Sequence, residues 1–224
     1  MKFILNIIFL CTFYFTAYSQ QLGIAGGYCI NNFYDFHKDE GHFKSNYSQG
    51  SGYAFNINLD EVLLDTFIFR FALNFARYDG SIYIRDGGLG GFTTENAYVE
   101  KYVVGLTTFP INIKIFKEFK INIGGDFNYL VYSNITGTRI SYSANGGGNT
   151  IDFKNKSPDI LKEYNFGILG RLSYNIRFYK KWYLVPEYNY YWGLTNEFVN
   201  FNAKVKSKRN YFMIGVINRI KSAK

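Results

Sequence analysis

After Gln20 no apolar run approaches the roughly 18 residues that a membrane-spanning helix needs. The chain beyond that point therefore either stays out of lipid or crosses it as strands. Proline is scarce, at 3, and charged residues make up only 19%, a balance that suits long strands better than helices. Cysteine is nearly missing. Cys11 falls in an N-terminal apolar run and Cys29 stands alone, which excludes an intramolecular disulfide framework and zinc-type spacing. Cys29 reads as a small strand residue. The glycine clusters at Gly87–Gly91 and Gly146–Gly148 lack a Gly-Lys-Ser/Thr ending and lead into no helical pattern, so they are not phosphate loops.

What is abundant is aromatic. Phe, Tyr and Trp make up 21% of 224 residues, and the formal charge is +8. A positive excess suits phosphates, whether of a membrane surface or of nucleic acid. Export makes nucleic acid an unsuitable partner, and the N-terminus points to export. Lys2 is followed by an apolar stretch from Phe3 to Phe15 and then by the small-x-small pattern Ala17-Tyr18-Ser19. That is the layout of a cleaved secretory signal over residues 1–19, leaving a single domain over 20–224. Leu10 before Cys11 argues against a lipoprotein signal, and the run is short for an anchor of about 20 residues.

Period two dominates the rest. Phe67, Phe69, Phe71, Leu73 and Phe75 alternate with Arg70, Ala72, Asn74 and Ala76. Tyr53, Phe55, Ile57 and Leu59 alternate with Gly52, Ala54, Asn56 and Asn58. The same pattern runs through 119–131, 164–178 and 182–194, and weaker strands fall at 21–31, 97–116 and 209–220. Alternation of this length means strands with one apolar face. Short connections near 60–65, 117–118 and 180–181 alternate with long polar ones near 34–50, 85–96, 137–162 and 196–208. The expected fold is all-β: an eight-stranded, antiparallel, up-and-down transmembrane β-barrel of the outer membrane.

The alternative is a soluble periplasmic ligand-binding barrel with its apolar face inside. The aromatics are too many and too large for the inside of about eight strands. The opposite face is Asn, Ser, Gly and Ala with scattered charges, poorly suited to water. Turned outward, the aromatics cover hydrocarbon, and Tyr and Trp near strand ends reach the headgroups. A charge at the lipid midplane costs about 2–4 kcal/mol. Arg70, Lys114, Asp126, Arg171, Arg177 and Glu187 are therefore expected inside. Asp126 and Glu187 would pair there with Arg70, Arg171 or Lys114, in a lumen filled by side chains.

The stretch Phe109-Pro110-Ile111-Asn112-Ile113-Lys114, followed by Ile123-Gly124-Gly125, resembles the "IPLLLKY … GG" region of the PorT-like outer-membrane β-barrel family. Tyr191-Trp192-Gly193-Leu194-Thr195-Asn196 is similar to that family's "YxxGLTN" strand end, and 209–220 is similar to its closing strand. Here Ile220 and four further residues replace the usual terminal aromatic. The resemblance implies an outer-membrane barrel of about eight strands that interacts with the membrane assembly machinery through its last strand.

Candidate chemistry is sparse. His37, Asp39 and His42 cluster in the first long loop and supply metal-type ligands or a base, at a spacing that fits no strong motif. Lys204, Lys206, Lys208 and Arg209 form a basic run suited to lipopolysaccharide phosphates. No cofactor is expected. The leading expectation is a non-enzymatic barrel with a structural, envelope-organising or surface-interaction role, meeting lipid, lipopolysaccharide and envelope proteins through its long loops. The rival is a barrel enzyme or metal-binding surface protein that uses His37 and His42.

Overall fold

The computed structural model describes residues 19–35, 44–64, 67–88, 90–116, 118–155, 161–199 and 204–220. Within them the strands are β1 (Ser19–Tyr34), β2 (Lys44–Ser48), β3 (Gly50–Leu64), β4 (Phe67–Gly88), β5 (Gly91–Lys114), β6 (Phe119–Ser143), β7 (Gly148–Asn155), β8 (Tyr164–Tyr174), β9 (Ile176–Tyr179), β10 (Trp182–Gly193) and β11 (Lys206–Arg219). Eight of them follow one another around a ring in the order β11, β1, β3, β4, β5, β6, β8, β10. Antiparallel pairing of β10 with β11 closes it. Closure leaves no open edge in the ring, which is the condition for strands to cross lipid. β2 and β7 prolong the wall above the ring by pairing with β4 and β6, and β9 continues β8 below it. Apart from Ser19, which opens β1, the expected export signal lies outside the described residues.

Three segments expected as loops contain strand, the first of them 34–50, where β2 occupies 44–48. Residues 85–88 and 91–96 continue β4 and β5 to a tight turn, and β6 with β7 fills most of 137–155. The reason is that alternation does not stop at the membrane but changes sign, as described below. Glycine has a specific role in the β6–β7 turn, where Gly146 and Gly147 take φ of 82° and 106°. Side chains other than hydrogen rarely accept that backbone.

Inward and outward positions alternate as the period-two pattern requires. Ile24, Phe55, Phe75, Leu106, Phe127, Ile168, Leu172, Phe212 and Ile214 are exposed on the outside. Asn58, Asn122, Asn128, Asn165, Ser173, Asn175 and Asn189 are buried inside. Phe71 and Ile121 are half-buried. Leu59 breaks the pattern by being buried beside Asn58 and Asp60, next to the register shift between Leu59 and Val62.

Two outward girdles frame the apolar band. Tyr174, Tyr179 and Trp182 lie near the short-turn end, while Tyr53, Tyr132 and Trp192 lie towards the other. No helix among the described residues is long and apolar enough to cross a membrane. The even-numbered closed ring, the apolar exterior and the aromatic girdles make this a membrane-spanning barrel of the bacterial outer-membrane type. A soluble ligand-binding barrel is thereby overturned, since it would bury these aromatics and wet the asparagines.

Candidate functional site: a filled lumen and its outer mouth

The lumen is built in layers. At the short-turn end Asp60 pairs with Arg70 and Glu187 with Arg171, all four side chains buried. Arg70 donates to Asn122 Oδ1 at 3.0 Å, and Arg171 to Asn58 Oδ1 at 3.5 Å. Two acids and two bases thus neutralise one another in a region with little water, the arrangement buried charge requires.

In the middle layer Asp126 accepts hydrogen bonds from Asn74 Nδ2 at 2.9 Å, Thr107 Oγ1 at 2.5 Å and Asn128 Nδ2 at 2.6 Å. Neutral donors hold it, rather than the expected cation. The mid-lumen cavity beside Asn56, Asn74 and Asp126 measures about 20 Å³, room for a single water.

The upper layer contains a plug that sequence reasoning did not foresee. The segment between β10 and β11 folds inward, so that Glu197 and Phe198 are buried. Lys101, 0% exposed, pairs with Glu197, 1% exposed. Ser207 also donates to Glu197, and Asn165 Nδ2 does so at 3.2 Å. The Lys101 ammonium lies 5.9 Å from the Phe33 ring and 5.5 Å from that of Phe198. Below it Arg209 is fully buried among tyrosines, its guanidinium 3.6 Å from the Tyr191 ring centre and 4.7 Å from that of Tyr78. Such stacking supports a cation where carboxylates are few.

Tyr191 owes its place to a glycine. A Cβ on Gly167 would stand 2.3 Å from the Tyr191 ring, so only a bare backbone lets the ring lie flat. Gly167→Val should displace Tyr191 and cost about 1–3 kcal/mol as overpacking. A lowered urea midpoint for unfolding in detergent would show it, and an unchanged midpoint would refute the packing claim.

Several expected placements need correction. Lys114 is not in the lumen. It lies in the exposed run 111–116, beyond the register shift between Thr108 and Ile111 that follows from Pro110. Arg177 is exposed and donates to the Lys180 carbonyl at 2.8 Å, stabilising the turn after β9. Arg209 cannot meet lipopolysaccharide, because its parity on β11 turns it inward. Lys204 is exposed, and Lys206 and Lys208 are half-buried on the outward side. Lys208 lies 4.5 Å above the Tyr34 ring, at a height where Trp192 Nε1 donates to Tyr34 at 2.5 Å. His37, Asp39 and His42 lie outside the described residues.

Outside the wall, the upper limit of the lipid band is marked by ions. Arg77 donates to Glu100 at 3.0 Å and to Asp79 at 2.8 Å, and Tyr98 donates to Asp79 at 2.7 Å. Above this belt the sheet inverts. Ser81, Tyr83, Asn96, Thr138 and Lys154 now face outward, while Ile82, Val99 and Ile135 are buried on the inner face. That is the polarity of a sheet standing in water.

No family model matches the chain, and no curated protein matches it. Solved structures of similar shape include Neisserial surface protein A, at 10% identity over 88% of this chain and 96% of that one, with a TM-score of 0.37. Ail of Yersinia pestis, complexed with the heparin analogue sucrose octasulfate, shares 10% identity over 88% and 97%, with a TM-score of 0.36. The outer membrane protein OprG of Pseudomonas aeruginosa shares 10% identity over 89% and 95%, with a TM-score of 0.38. At such identities and scores, the fold assignment rests on the closed ring itself.

Proposed function

We propose that this protein is a non-enzymatic outer-membrane barrel, closed to free diffusion, that acts through its extended outer wall in contacts at the cell surface. The observation that carries this reading is the lumen, filled by paired charges and capped by Glu197 and Phe198. A barrel so filled offers solutes no continuous path. The wall formed by β4–β7 rises past the Arg77–Glu100 belt with a polar outer surface, available to neighbouring envelope components. Lys204, Lys206 and Lys208 lie where lipopolysaccharide phosphates would meet them. Kinship with the PorT-like barrels, supported by the motifs in 109–125 and 191–196, fits this placement, with β11 as the strand that assembly machinery would engage.

Vesicles reconstituted with the protein should swell in isotonic arabinose no faster than protein-free vesicles. Cysteine-directed cross-linkers at Tyr83→Cys in intact cells should capture envelope components that the same linker at Ile123→Cys does not. Rapid swelling, or identical capture at the two positions, would reject the proposal.

A further inference from the structure

Above the plug the inner face of the wall encloses a second space. Among the described residues it is a cavity of about 240 Å³ that opens outward, with Ile82, Ile84, Val99, Ile135, Phe153 and Phe198 among its walls. Phe198 is the floor, held by the Leu161–Phe198 bridge and by its neighbour Glu197, which Lys101 anchors from within. The same sheet face that carries ions in the lumen is thus apolar at the mouth. This region stands above the ionic belt, where no lipid reaches to cover it. An apolar hollow open to water is costly to leave empty. Hollows of roughly 150 Å³ with such walls take up single-ring hydrocarbons.

Two charged residues, Glu95 and Arg139, stand on the cavity wall and pair with each other. Their charges cancel, so the cavity has no net charge with which to recruit an ion. The pair still offers an acceptor and donors to a neutral polar group. The volume suits a small molecule. We propose that the outer mouth binds small uncharged amphiphiles, the apolar tail between Ile82, Val99 and Phe153 and a hydroxyl-type head beside Glu95 and Arg139. The outer mouth is then a receptor site for neutral lipophilic molecules arriving from outside, while the plug beneath keeps them from the lumen.

The probe is 3-azioctanol, a photoreactive eight-carbon alcohol, applied to the whole protein in phospholipid vesicles. Adducts are mapped by mass spectrometry after irradiation. Saturable adducts are expected in 82–84, 97–99 or 151–153, removed by excess octan-1-ol. Diffuse, non-saturable adducts along the outward band at Ile123, Phe127 and Ile214 serve as an internal record of lipid-dissolved probe. Ala97→Trp, which fills the cavity, should lower the saturable adducts about tenfold and leave the outward ones unchanged. Ile84→Trp replaces it if Ala97→Trp no longer shows heat-dependent gel migration.

Adducts confined to the outward band would overturn the proposal while leaving the barrel reading standing. So would adducts at the mouth that do not saturate, or that persist undiminished in the filled variant.

Discussion

Replacing Glu197 by Ala is expected to lower unfolding stability by about 3–5 kcal/mol, the cost of leaving one partner of a buried ion pair alone. Lys101 has no exposed surface, and its ammonium lies 5.9 Å from the Phe33 ring centre and 5.5 Å from that of Phe198. The ring faces offset only part of the lost attraction, about 2 kcal/mol where a cation is desolvated. The urea midpoint in detergent should fall, and the temperature at which gel migration changes should fall with it. Glu197→Leu combined with Lys101→Met should recover most of the loss, because a matched apolar pair has no charge to desolvate. The same double variant keeps the loop inside, so vesicles that stay closed to arabinose would show that packing, not charge, seals the plug. If Glu197→Ala unfolds at the parent's midpoint, Lys101 is not dependent on this carboxylate and the plug is wrongly described.

Ile214→Arg tests the membrane instead of the lumen. Ile214 is 64% exposed at the middle of the outward face of β11, between Phe212 and Val216. In a protein standing in water, a substitution at so exposed a position stays within about 0.5 kcal/mol. In a bilayer the same arginine sits near the midplane and costs about 2–4 kcal/mol. Tyr83→Arg supplies the contrast. Tyr83 also faces outward and is exposed, but it lies above the Arg77–Glu100 belt. Its variant should match the parent in vesicles. Equal effects at the two positions would place both in one solvent and remove the lipid band from the description.

The pattern behind these expectations was largely local. Strand residues two apart share a face whatever the strand later pairs with. The run through Phe71, Leu73 and Phe75 therefore specified its own exterior, and Asn122, Asp126 and Asn128 their own interior. The wall above the membrane is not legible from composition, because its strands are as polar overall as loops. Ile82, Ile84, Val99 and Ile135 continue the alternation there, but with the apolar set on the inner face, and a count of polar residues does not register that inversion. Lys101 sits at an inward position between Val99 and Val103, and that parity was the one available sign of its burial. Nothing periodic marks Glu197, which belongs to a connection.

The amino-acid sequence by itself determined strands, their two faces and the solvent each face requires, because alternation and side-chain chemistry act over a few neighbouring residues. Only the closed tertiary structure decided which charges meet. Lys101 and Glu197 are 96 positions apart, and Arg70 turned to Asp60 instead of Asp126. Those partnerships depend on the stagger between strands and on how a connection packs into the ring. The first is set by the register shift within the β3–β4 pair, the second by closure of the whole sheet, which gives the β10–β11 connection a lumen to enter.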